Sequence, residues 1–273
     1  MYLTRHEAGT DPRWALDGKW LPPSFRLESL LQLPRAAVAD FLRALRPAGT
    51  ASGKLLAPVE PTTEVWAAGV TYLRSRDARE EESAVKDVYT RVYEAKRPEL
   101  FFKSNGWRVS GHDAPIRVRA DSAWNVPEPE LALVINSAGE IIGHTICNDV
   151  SSRDIEGDNP LYLPQAKVYN GSCAVGPGLH IGDTDRLKEL SIAMEIDRGG
   201  RTVFTGETRT SQIKRSLDEL AGYLFMELEF PQGAFLSTGT GIVPGQDFSL
   251  THGDVVSITI GDMTLANRVA EAK

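Results

Sequence analysis

Cysteine is scarce in this chain: Cys147 and Cys173 are the only two among 273 residues. Two thiols make no disulfide framework, and neither has metal-ligand spacing, so both are expected as buried thiols of a reducing, cytoplasmic protein. Long apolar runs are missing too, since none approaches the roughly 20 residues of a membrane span. The first residues, "MYLTRHEAGTDPRWALDGKW", have early acids where a signal peptide has an apolar centre. There is no basic excess: 30 Lys and Arg against 37 Asp and Glu leave a net charge of -7, which speaks against nucleic acid or an anionic membrane as the main partner. The five histidines lie too far apart for short zinc spacing, and a polar strand face accounts for His144 as well as a ligand role does. No G-x-S-x-G elbow occurs, and "GTGIVPG" at 239–245 matches neither a dinucleotide fingerprint nor a P-loop.

What is present is an ordinary globular composition, 41% hydrophobic and 25% charged. Residues 1–60 read as a small module: Trp14, Trp20 and Leu21, then a helix in "PRAAVADFLRAL" with Val38, Phe41, Leu42 and Leu45 at helical spacing. Turn formers in "RPAGTASGKLLAPVEPTT" place the boundary with a second unit, 61–273. There "VWAAGVTYLRS" reads as a strand running into a loop. Residues 77–98 read as one helix, with Val85, Val88, Tyr89, Val92 and Tyr93 at spacings of three and four and the acids Glu80, Glu81 and Glu82 at a solvated start. Short strands follow: "ELFFKS", "IRVR", "ELALVIN", "IIGHTIC", "LSIAMEIDRGG", "TVFTGET", "AFLSTGTGIV" and "VVSITIG". One more helix, 211–228, carries Ile213, Leu217, Leu220 and Leu224 on one face. This order predicts an α+β protein, mainly β, with mixed sheets rolled around a core.

The stretch "NVPEPELALVIN" begins a strand with acids. Alternation aims Glu128 and Glu130 at one face, and the prolines mark a strand start or edge. A hairpin centred near Ala138 and Gly139 brings Asp149 opposite Glu128. Three converging carboxylates repel one another unless a cation stands among them, and an all-oxygen set suits Mg²⁺, Mn²⁺ or Ca²⁺. Spacing alone leaves a second reading open, in which the glutamates line a solvated face and Asp149 caps a turn.

The E-x-E pair, "NDVSSRDIE" at 148–156, "LPQAKVYNGSCAVGP" at 163–177 and "STGTGIVPG" at 237–245, in this order, resemble the fumarylacetoacetate hydrolase superfamily. The resemblance runs from about Trp66 onward. It implies a mixed β-sandwich roll and a divalent cation, Mg²⁺ foremost, held by Glu128, Glu130 and Asp149. Within the superfamily, "RPELFFKS", "WNVPEPEL" and "SSRDIEGDNPLYLPQAKVY" are similar to 2-keto-3-deoxy-D-arabinonate dehydratases of pentose oxidation. That similarity implies a small 2-keto acid substrate, 2,5-dioxopentanoate as product, and Glu99 and Lys167 beside the metal. It also implies a homodimer or homotetramer. A C–C hydrolase of acylpyruvates, or a β-keto acid decarboxylase, is the alternative; Val70 stands where those hydrolases carry an aspartate, and "SRDAREEE" offers no histidine.

A 2-keto-3-deoxy acid chelates a cation through its carboxylate and ketone, which acidifies the C3 protons and lets the C4 hydroxyl leave. Glu99 and Lys167 are the candidate base and acid, in either assignment, and a lysine beside a bound cation is expected to have its pKa lowered. Ser151, Arg153 and Asp154 are expected to orient Asp149 or the substrate. Phe101, Thr238 and Thr240 are candidates for the substrate pocket, although Phe101 reads more readily as core, because aromatics bury large area.

Overall fold

The computed structural model describes residues 1–9, 11–82, 87–182 and 184–271. Among them three sheets form. The largest has eleven strands. From one end it runs Ala48–Thr50, Lys19–Trp20, Arg13–Leu16, Tyr2–His6, Cys173–Ile181, Ile141–Asp149, Pro129–Ile135, Ala234–Ser237, Glu64–Gly69 and Glu99–Asn105, with Leu55–Leu56 also paired to Tyr2–His6. The pairings are antiparallel except Ala234–Ser237 beside Glu64–Gly69, which is parallel. A four-stranded sheet, Thr202–Arg209, Ser191–Asp197, Val255–Ile260 and Met263–Arg268, packs against the large one. The fold is α+β, mainly β.

The run "ELALVI" is buried on both sides, and this explains why it is apolar at every position rather than at alternate ones. Leu131, Leu133 and Ile135 pack with Ile192, Met194, Val256 and Ile258 of the smaller sheet. Ala132 and Val134 face the other way, to Leu27, Leu30, Val38 and Leu42 of the N-terminal helices Leu27–Leu31 and Arg35–Ala44. No helix among the described residues is long and apolar enough to cross a membrane.

Several elements differ from the sequence reading. Of the helix expected over 77–98 the described residues show Leu73–Glu82, which starts earlier than expected, and Asp87–Glu94; residues 83–86, Val85 among them, lie outside the described residues. The helix expected over 211–228 spans Leu217–Leu224, because the Ser216 hydroxyl caps it by accepting from Glu219 N. "IRVR" forms no strand, only a single bridge between Ile116 and Val269. Cys173–Ile181 and Met263–Arg268 are strands that the sequence reading passed over. The first contains Gly176, Pro177 and Gly178, a turn-like run that the sheet absorbs with a register shift against His144 and Ile146.

Candidate active site

Six strand ends of the large sheet meet at one end of it. Glu99 starts its strand opposite Gly69, where the neighbouring strand ends, Glu130 pairs with Cys147 across the hairpin, and Asp149 pairs with Cys173. The hairpin register continues to Glu128, whose carbonyl accepts from Asp149 N (3.0 Å). Near the turn Ile135 pairs with Ile141; a bulge between Ile141 and Gly143 shifts the register by one and brings Asp149 opposite Glu128. The strand expected through "AFLSTGTGIV" stops at Ser237 because its next donors turn to a carboxylate. Ser237 Oγ (2.6 Å) and Gly239 N (2.7 Å) both donate to Glu130 Oε2.

The ligand atoms of Glu128, Glu130 and Asp149 lie within 4.8 Å of one another, and all three residues are buried. Cations surround two of them. Glu128 Oε1 is approached by Arg79 (3.1 Å), Arg153 (3.1 Å) and Lys167 (3.0 Å), and accepts from Ser151 Oγ (2.9 Å). Asp149 has Lys103 Nζ at 2.5 Å on one oxygen and Lys167 Nζ at 3.2 Å on the other. Lys167 also donates to Ser151 Oγ (2.6 Å) and lies 5.6 Å from the centre of the Phe101 ring. Arg79 reaches past Glu128 to a second buried acid, Glu156.

These neighbours separate the titration of the acids. Burial works against the charge of Glu128, but Lys167, Arg153 and Arg79 hold its carboxyl well below the usual range. Glu130 goes the other way: burial, then Asp149 and Glu128, push it well above that range. Three buried carboxylates this close together are the all-oxygen donor set of a hard divalent ion, which would relieve the repulsion felt by Glu130, so the site fits Mg²⁺. Glu99 is pushed up to about 7, first by burial and then by Glu156, with Arg79 and Lys167 opposing. The protein's own groups do not lower Lys167. Burial pulls Lys167 down, yet Asp149, Glu128 and Glu156 outweigh it and hold the ammonium above its ordinary value.

The cavity wall brings together Glu99, Phe101, Glu128, Glu130, Asp149, Lys167 and Thr240. Val70 is there as well, with a φ of 50° that a β-branched residue rarely adopts. Ser151 and Arg153 sit behind Glu128 rather than on the wall. Asp154 and Thr238 stand away from it. Asp154 accepts from Ser122 Oγ and Ala123 N, and the Thr238 hydroxyl donates to Leu131 O. The sequence reading missed Lys103, Arg79 and Glu156. The first was within reach, since alternation in "ELFFK" puts Glu99, Phe101 and Lys103 on one face. The other two carry no such signal, because the helices that hold them meet only in the folded chain. The free space is about 10 Å³, room for a water-sized body.

The model of the fumarylacetoacetate (FAA) hydrolase C-terminal family matches residues 64–270. The chain belongs to the fumarylacetoacetate hydrolase family. A family relative from Haloferax volcanii, a probable 2-keto-3-deoxyxylonate dehydratase, is 50% identical over 208 residues, 76% of this chain and 72% of that protein. The 2-dehydro-3-deoxy-D-arabinonate dehydratase of Saccharolobus solfataricus is 44% identical over 217 residues, 77% of this chain and 72% of that one. A solved 2-keto-3-deoxy-D-arabinonate dehydratase, complexed with magnesium and 2,5-dioxopentanoate, superposes with a TM-score of 0.84 at 34% identity and covers 100% of both chains.

Proposed function

We propose that this protein is a divalent-cation-dependent hydro-lyase that converts 2-keto-3-deoxy-D-arabinonate to 2,5-dioxopentanoate and water. The observation that carries the reading is one cavity lined by three clustered carboxylates together with Glu99 and Lys167. Glu128, Glu130 and Asp149 would hold Mg²⁺. When bound there, the ion supplies a Lewis acid that polarises the keto oxygen and acidifies C3–H. Glu99, poised near neutrality, accepts a C3 proton. Lys167 keeps its proton and offsets the negative charge that develops at the keto end. Glu99 returns the proton to the C4 hydroxyl, which leaves as water. The C3–C4 alkene then reaches the aldehyde by moving a proton from C5 to C3 and the enol proton to C4. Ser151 and Arg153 fix Glu128, Phe101 packs beside Lys167, and Thr240 lines the pocket. Asp154 and Thr238 act through the loops they tie.

The alternative, C–C hydrolysis of an acylpyruvate or decarboxylation of a β-keto acid, loses support because no histidine lines the cavity among the described residues and Val70 offers no ligand. The test is purified protein with Mg²⁺ and 2-keto-3-deoxy-D-arabinonate, read through an NAD(P)⁺-linked dehydrogenase that consumes the semialdehyde. Absence of turnover, or turnover indifferent to EDTA, sinks the reading. We also infer a cytoplasmic homodimer or homotetramer in which residues 1–60 act as a module serving either contacts or lid duty. The free thiols Cys147 and Cys173, 4.0 Å apart, support the location, and sedimentation tests the assembly.

A further inference from the structure

Two buried charges on the cavity wall have no part in the steps above. Arg79 lies on the helix Leu73–Glu82 and Glu156 on the helix Arg153–Asp158, and their side chains pair across the site. Burying such a pair is costly, and replacing it by apolar side chains often stabilises a protein, so the fold has no need of it as such. Its placement is specific: one nitrogen of the Arg79 fork reaches Glu128, a carboxylate of the cation cluster, and the other reaches Glu156. Glu156 therefore stands one guanidinium width from the end of the cavity where a 2-keto acid is chelated.

We propose that Arg79 and Glu156 form the subsite that takes the C5 hydroxyl of the substrate. This rests on the dehydratase reading. With the keto-acid end at the three carboxylates and C3 at Glu99, the C4–C5 end meets the remaining polar wall, which is Arg79, Glu156, Ser75 and Thr240. The Thr240 hydroxyl is already engaged with the backbone of Ile242, and Ser75 offers a single hydroxyl. The ion pair offers a fixed donor beside a fixed acceptor, which matches a hydroxyl that both gives and takes a hydrogen bond. Holding that end also keeps C5 in place for the proton shift that forms the aldehyde. Arg79 and Glu156 are thus specificity-determining residues, and a substrate lacking the C5 oxygen gives up its hydrogen bonds to the pair.

Two substrates separate the ends of the molecule. 2-Keto-3-deoxy-D-arabinonate has the C5 hydroxyl, whereas 4-hydroxy-2-oxopentanoate has the same keto acid and C4 hydroxyl but a methyl at C5. With Mg²⁺ saturating for each variant, wild type is expected to prefer the first by about 10- to 100-fold in kcat/KM. Glu156→Gln is expected to lose about 10-fold on the first substrate and little on the second. In a Glu99→Gln background, which holds substrate without turning it over, calorimetry should show the same split in Kd while the Kd of pyruvate stays put. Arg79→Lys, which keeps the charge and loses the fork, should give that split even if Glu156→Gln does not fold. Equal losses on both substrates, or no loss on either, overturn the subsite. Failure of wild type to turn over the first substrate with Mg²⁺ is a different result, and it removes the dehydratase reading beneath it.

Discussion

At Gly69 a methyl group would fall on the carboxylate of Glu99, the residue paired with it across the strands. The clashing atoms end a flexible side chain, so the fold tolerates the methyl by swinging Glu99 aside. Gly69→Ala is therefore expected to cut kcat/KM about 100-fold, as a misplacement near 1 Å does, while far-UV circular dichroism stays that of wild type. The pH profile reads the same side chain. A base acts in its ionised form, and Glu99 is raised to about 7, so activity is lost as pH falls through that value. Glu156 is one of the charges that raise it; Glu156→Gln should move the acid limb of kcat/KM to lower pH. A limb that stays in place in this variant would remove Glu156 as a cause.

Among the elements, the strand Glu99–Asn105 does two jobs through alternate side chains. Glu99 and Phe101 face the cavity. Lys103, fully buried, lies beside Asp149 and donates to the carbonyls of Val150 and Lys167. Lys103→Met removes one member of a buried ion pair and should cost about 3–5 kcal/mol, measured by urea unfolding. Elements of this kind differed in how far the sequence revealed them. The acids of "VPEPEL" and the hairpin behind them were readable because a two-residue period and a turn fix both face and register. Arg79 and Glu156 were not, since a charge on a short helix reads as solvated until another helix covers it. "AFLSTGTGIV" misled for a related reason: Glu130 competes for backbone and hydroxyl donors that local propensity assigns to a ladder.

For the molecule as a whole, charge balance decides what the cation does. Glu128, Glu130, Asp149 and Glu156 are buried with Arg79, Lys103, Arg153 and Lys167, four acids among four bases. Glu128, Asp149 and Glu156 have cationic partners without a divalent ion, unlike structural metal sites whose domains unfold when stripped. Treatment with EDTA should abolish turnover and leave the far-UV spectrum intact. Removing Mg²⁺ from 100 times its Kd should lower unfolding stability by only about 2.7 kcal/mol.

The chain order of the sheet bears on how the protein is made. Ala234–Ser237 lies between Pro129–Ile135 and Glu64–Gly69, two strands that precede it by about a hundred residues or more. During synthesis those strands wait with facing edges unpaired, and Glu130 waits for Ser237 and Gly239. A ribosome stalled before residue 234 would thus carry a nascent chain with a split sheet and an unfinished cation cradle. Such a chain is a natural client for a chaperone.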